Sequence, residues 1–186
     1  MSKPTSTISA LIDEHVPADA SETDALRRIK ELVVSATEPF SRDQYVPGHL
    51  TASAIIFDDA REHVMLIFHQ KLQLWLQPGG HFEPGETDPN VAAAREVLEE
   101  TGLTCRWPGG APALHDVDVH LIPARKTEPQ HSHFDLRMLL ISARVPGTAG
   151  DGVSAARWFR REAALAMNLD PGLVRASVSY THLTLP

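Results

Sequence analysis

The segment from Gly79 to Leu103, GGHFEPGETDPNVAAAREVLEETGL, constrains the fold most, because it sets three glutamates, Glu96, Glu99 and Glu100, beside Arg95 in one helical reach. A helix turns about 100° per residue, so Glu99 and Glu100 lie about 60° and 40° to either side of Glu96. All three carboxylates share one face. Like charges at that spacing repel and weaken a helix, so they require a compensating cation or full solvation. A hard divalent cation with oxygen ligands, above all Mg2+, meets the first requirement. Val91, Ala94, Val97 and Leu98 are expected on the opposite side, as a stripe for burial. Ala92 and Ala93, one turn earlier than the glutamates, are small enough to leave ligand room above the acidic face. Gly79 and Gly80 read as a turn that brings backbone close to a metal or phosphate. A solvated acidic face is the ordinary fate of a charge run, and the glycine turn tips the reading towards a cation.

The same residues resemble the signature of the Nudix hydrolases, G-x5-E-x7-R-E-U-x-E-E-x-G-U with U aliphatic. The matches are Gly80, Glu86, Arg95, Glu96, Val97, Glu99, Glu100, Gly102 and Leu103. One departure stands out: eight residues, TDPNVAAA, separate Glu86 from Arg95 where the pattern has seven. Inside the helix an extra residue would rotate everything after it by about 100°. Asp88-Pro89-Asn90 is turn-forming and helix-initiating, so the insertion belongs in the loop before the helix. The resemblance implies an α/β fold, an α/β/α sandwich with a mixed sheet and a loop-helix-loop motif. It implies hydrolysis of the pyrophosphate bond of a nucleoside diphosphate linked to another moiety, with Mg2+ or Mn2+. Carried onto this chain, Glu96, Glu99 and Glu100 become metal ligands, joined by a carbonyl of Gly79 or Gly80. Arg95 would hold the glutamates in register by pairing with Glu86 or Glu99. Physical chemistry agrees, because water reaches an anionic pyrophosphate only if cations offset its charge and acidify the water. The general base stays open among Glu96, Glu99, Glu128 and Asp135.

At 186 residues the chain is long enough for one domain with an extension. We expect a helical extension over 1–46, a hydrolase domain over 47–176 and a non-native or disordered tail over 177–186. The formal net charge of −7 disfavours nucleic acid as a partner. The lone Cys105 precludes an internal disulfide, and no apolar run or signal-peptide core is evident, which gives a cytoplasmic expectation.

In chain order, two amphipathic helical pieces are expected between Ser6 and Ala36, broken near Pro17, with a capping box from Ser21 to Asp24. They would pack on the main domain or on a second subunit, as in a homodimer. Strands follow at Leu50 to Phe57 and Val64 to His69, the second apolar on both faces and therefore central. Leu72, Leu74 and Leu76 alternate with polar neighbours, and Trp75 reads as core. His115 to Leu121 and His131 to Met138 both alternate, placing Asp116, Asp118 and His120 on one face and His131, His133, Asp135 and Arg137 on another. If these faces coincide in a hairpin, His133, Asp135 and Arg137 become candidates for substrate binding. The competing reading is a solvated sheet face with cross-strand ion pairs. His-x-His can bind zinc, but the sequence offers no third ligand in clear register. A last strand, Val153 to Phe159, and a helix from Glu162 to Met167 close the domain. The start at Asp170-Pro171-Gly172 is not expected to develop into a helix.

Other classes are weaker. A catalytically silent nucleotide-binding regulatory domain rests on the inserted residue alone. RNA-end hydrolysis would need a basic strip. The isopentenyl diphosphate isomerase branch is disfavoured because Cys105 lies just beyond the motif.

Overall fold

The computed structural model describes residues 6–150 and 152–179. Its elements in order are α1 (Ser6–Glu14), α2 (Ala20–Ser35), β1 (Gly48–Asp58), β2 (His63–His69), β3 (Leu74–Leu76), β4 (Gly79–His81), α3 (Pro89–Thr101), β5 (Leu114–Ile122), β6 (His131–Ser142), β7 (Val153–Arg160), α4 (Arg161–Leu165) and α5 (Pro171–Ser179). The strands form a mixed sheet in the order β3-β2-β1-β6-β5, with β4 also pairing with β1 and β7 with β2. The chain divides into two compact units, Met1–Ser53 with Gly80–Ala93 and Leu114–Met138, and Ala54–Gly79 with Ala94–Ala113 and Leu139–Pro186.

The second unit is a sandwich built on strand alternation. Successive strand residues face opposite sides, so Ile55, Phe57, Val64 and Leu66 meet Ala164, Leu173 and Ala176 of α4 and α5. Their neighbours Ala54, Ile56, Met65 and Ile67 meet Val97 and Leu103 from the motif. The central position expected for β2 is found. Trp75 packs edge-on against Phe159, 4.8 Å between ring centroids, as a core residue. Leu72 and Leu74 instead stay exposed, because β3 is only three residues long and pairs with β2 alone. α5 does develop, burying Leu173, Ala176 and Ser177. Its cap is Asp170, whose carboxylate accepts from the amides of Gly172 and Leu173. The sequence had hidden this helix because its small and β-branched residues lack a polar stripe. Of the suspected tail, Ser177 to Ser179 belong to α5 and 180–186 lie outside the described residues.

In the first unit α2 packs on β5. The helix is capped by Asp19, whose Oδ1 accepts from Glu22 N–H at 2.8 Å, rather than by the expected Ser21. That cap frees Glu22 for another task. Its buried carboxylate accepts from His15 Nε2 at 2.7 Å, Ala18 N–H at 2.6 Å and Val117 N–H at 3.1 Å, tying the N-terminal helices to the sheet. Burial opposes ionisation of Glu22, but these donors outweigh it and hold its pKa below the ordinary value. A lowered carboxylate pKa stabilises the fold above the unfolded value, and that stability disappears as pH falls through the folded one. Glu22→Gln is therefore expected to cost about 1.5–3 kcal/mol in urea unfolding at neutral pH. The gap from the unsubstituted chain should shrink as the buffer is made acid enough to protonate Glu22.

Candidate functional site

Helix α3 runs unbroken from Pro89 to Thr101. Asp88 stands just outside it, accepting from Asn90 N–H at 2.9 Å and, through its backbone carbonyl, from Ala92 N–H at 3.1 Å. No irregularity separates Pro89 from Arg95, so the glutamates keep their helical spacing. The buried side of the helix is not the one expected. Ala92, Ala93 and Val97 are at most 1% exposed, whereas Val91 and Leu98 are each 55% exposed. Ala92 and Ala93 lie about 40° and 60° to either side of Glu96. The acidic face is thus the flank of the packed face, and small residues there allow close packing instead of opening ligand space.

This placement separates the glutamates. Glu99 is exposed, while the Glu96 side chain keeps only 14% of its surface. Arg95 Nη1 donates to Glu96 Oε1 at 2.9 Å and Glu99 Oε2 at 3.1 Å. Glu100 turns towards Gly79, whose N–H donates to its Oε2 at 2.9 Å. Gly79 and Gly80 form strand β4 rather than a turn, and Gly79 is near-extended at φ 158°. Burial pushes the Glu100 pKa up to about 7, with Glu96 and Glu99 adding to the rise against the Gly79 bond.

The C-terminal end of α3 is fastened by the loop after β6. Thr148 N–H donates to Thr101 O at 2.7 Å and Gly150 N–H to Glu100 O at 3.3 Å. These bonds satisfy helix-end carbonyls that have no partner within the helix. A Cβ at Gly150 would lie 1.8 Å from Glu99 O, so only glycine admits this approach.

The second polar constellation lies on β1, β5 and β6. β5 and β6 pair antiparallel with Asp116 opposite Arg137, Asp118 opposite Asp135 and His120 opposite His133. The polar faces coincide. They are not a solvated sheet face, because Asp116, Asp135 and Arg137 are at most 3% exposed. Arg137 reaches Asp116 at 2.9 Å, Asp135 at 3.2 Å and Asp118 at 3.3 Å. Asp135 also accepts from Thr51 Oγ1 at 2.9 Å and Ser53 Oγ at 2.7 Å. Cross-strand pairing and burial convert the two substrate-binding candidates Asp135 and Arg137 into an internal network.

His133 stands elsewhere on that face, within a histidine cluster. Its ring centroid is 4.8 Å from that of His49, 5.0 Å from His81, 5.2 Å from His131 and 5.5 Å from His120. Burial, then the neighbouring imidazoles, push the His133 pKa down to about 2; burial likewise lowers His81 to about 4 and depresses His49. Their ring nitrogens keep lone pairs at neutral pH. His49 and His81 were missed in the sequence. The signal was the alternation His49, Thr51, Ser53 against Leu50, Ala52, Ala54, which puts a polar face on β1. Cys105 is half-buried with its thiol pushed up to about 11 by burial, an unreactive state.

A family profile described as NUDIX domain matches residues 47–178. This chain belongs to the NUDIX family. The sequence relatives include an 8-oxo-(d)GTP phosphatase of Mycolicibacterium smegmatis, 38% identical over an alignment covering 36% of this chain and 24% of that one. A putative 8-oxo-dGTP diphosphatase of Bacillus subtilis is 39% identical over 27% of this chain and 33% of its own. The chain therefore spans a third or less of the curated relatives it matches. Among solved structures, a NUDIX-family hydrolase from Clostridium perfringens superposes with a TM-score of 0.52 at 28% identity, over 72% of this chain and 96% of that one. The NUDIX domain of Shewanella oneidensis NrtR, complexed with ADP ribose, shares the fold with a TM-score of 0.55 at 16% identity, over 82% and 96% of the two chains. Among the described residues no helix is long and apolar enough to cross a membrane.

The raised pKa of Glu100 fixes a sign for pH. A carboxylate whose folded pKa exceeds its unfolded value of about 4.5 costs stability once ionised, so metal-free protein loses stability as pH rises from there towards about 7. The loss levels off above that, at a size on the order of 3 kcal/mol. Glu100→Gln, which cannot ionise, should match the unsubstituted chain at pH about 4.5 and exceed it at pH about 8 in metal-free urea unfolding. Equal stabilities at the higher pH would contradict the crowding of charge described here.

Proposed function

We propose that the chain is a metal-dependent pyrophosphohydrolase acting on a nucleoside diphosphate linked to another moiety. The observation that carries this reading is the geometry of α3, where Glu96, Glu99 and Glu100 share one face, Arg95 bridges the first two and the Gly79 amide holds the half-buried third. Such a donor set fits a hard divalent cation, Mg2+ or Mn2+, bound through oxygen. Glu96, Glu99 and Glu100, with the carbonyl of Gly80, would hold it. A bound cation offsets phosphate charge and acidifies water. Arg95 acts through the glutamates, holding Glu96 and Glu99 apart from one another's charge and pointing their oxygens in fixed directions. A carboxylate on α3 takes the water proton. Asp135 is a poor alternative, since both its oxygens are already bonded inside the sheet. Asp135 and Arg137 instead stiffen the strands that carry them. The names of the phosphatase and diphosphatase relatives support phosphoanhydride hydrolysis, with oxidised purine nucleotides the first substrates to try.

The competing reading is a catalytically silent nucleotide-binding regulatory domain, supported by the residue inserted before Arg95. A hydrolysis screen over nucleoside triphosphates, oxidised nucleotides, nucleotide sugars, ADP-ribose and dinucleotides separates the two. With Mg2+ present, turnover of at least one class is expected, falling on the order of a hundredfold or more in Glu100→Gln. Nucleotide binding without turnover would favour the regulatory domain.

A further inference from the structure

Three histidines outside the acidic helix converge in a way that the pyrophosphohydrolase reading does not use. The ligand nitrogens of His49, His131 and His133 all lie within 4.8 Å of one another. His131 and His133 alternate on β6, so both project from one face of the strand. Their Nε2 atoms are 3.3 Å apart and share a hydrogen bond, whose proton a bound cation would displace. Two nitrogens bound to one tetrahedral zinc at about 2.0–2.1 Å stand about 3.3–3.4 Å apart, so this pair already has the spacing of two ligands. With all three ligand nitrogens within 4.8 Å of one another, a swing about the imidazole's soft terminal torsion would bring His49 to the same ion.

The remaining ring atoms are arranged to suit. A backbone carbonyl can only accept, so His131 must carry its proton on Nδ1, which donates to Pro129 O at 2.8 Å. By the same reasoning His49 Nδ1 donates to Gln44 O at 3.1 Å. Both rings are thereby oriented and both present an Nε2 lone pair, the tautomer that metal-ligating histidines have when a carbonyl fixes the other nitrogen. His49 Nε2 is buried and has no hydrogen-bond partner. An acceptor in that position costs free energy unless something binds it. The main chain makes the same provision. Gly48, at φ 146°, leaves so little room that a Cβ there would sit 1.9 Å from Ser132 O, between the two β6 histidines. That close approach is what brings His49 to His131 and His133.

We propose that His49, His131 and His133 form a binding site for a zinc-class divalent cation. Three neutral imidazoles suit Zn2+, Co2+ or Ni2+ and are poor ligands for Mg2+, which demands oxygen. A three-histidine set leaves the fourth tetrahedral position for water or a ligand atom. The site is separate in its residues and its chemistry from the carboxylates of α3, and it stands whether or not those carboxylates support hydrolysis.

The test uses the tag-free full chain, stripped of metal, with Zn2+ titrated against a competing chelator. One high-affinity zinc per chain is expected, weakened on the order of a hundredfold or more in His49→Ala and in His131→Ala. Glu100→Gln and His69→Ala, changes outside the cluster, should leave that zinc in place. Two measurements on the unsubstituted chain need no variant to fold. Co2+ should give the intense visible absorption of a four-coordinate site, and zinc-edge anomalous diffraction should place the ion among the three imidazoles. Absence of a stoichiometric zinc, unchanged affinity in both histidine variants, or an anomalous peak elsewhere would overturn the proposal.

Discussion

Repulsion among three carboxylates on one helix is the constraint to which much of this chain answers. Glu96, Glu99 and Glu100 share a face of α3, and left alone they would weaken the helix that carries them. Two devices meet the side chains and a third the helix end. Arg95 lies between Glu96 and Glu99, the Gly79 amide holds Glu100, and the loop at Thr148 and Gly150 fastens the last carbonyls of the helix. The price of this arrangement is visible in Glu100, whose ionisation is held back to about neutral pH. A cation bound there would displace that proton, so its affinity should rise with pH.

The second polar system follows the opposite logic. Where α3 gathers charge of one sign at the surface, the β5–β6 wall buries Arg137 among Asp116, Asp118 and Asp135. A buried charge is tolerated only when paired and hydrogen-bonded, and Thr51 and Ser53 supply the missing donors to Asp135. Along the same strands the polar series ends in histidines, which can be buried neutral and need no counter-charge.

Much of this was legible in the chain. Glu96, Glu99 and Glu100 announce themselves because helical spacing alone puts them together, and alternation gave β5 and β6 a polar face each, while their coincidence came only with the register. What stayed hidden depended on contacts between distant residues. Which side of α3 is buried turns on the small size of Ala92 and Ala93, and hydrophobicity alone pointed to Val91 and Leu98 instead. The histidine cluster needed β1 laid against β6, an approach that Gly48 permits but that no local pattern states. Helix α5 was misjudged because burial of Leu173 and Ala176, rather than helical propensity, stabilises it.

The most direct test of the acidic helix as a cation site is a crystal of the chain grown with Mn2+ and a non-hydrolysable nucleoside diphosphate derivative, read by manganese anomalous scattering. A peak ringed by carboxylate oxygens of Glu96, Glu99 and Glu100 is expected, with the diphosphate oxygens completing the shell. Bound nucleotide with no manganese beside these three glutamates would contradict it.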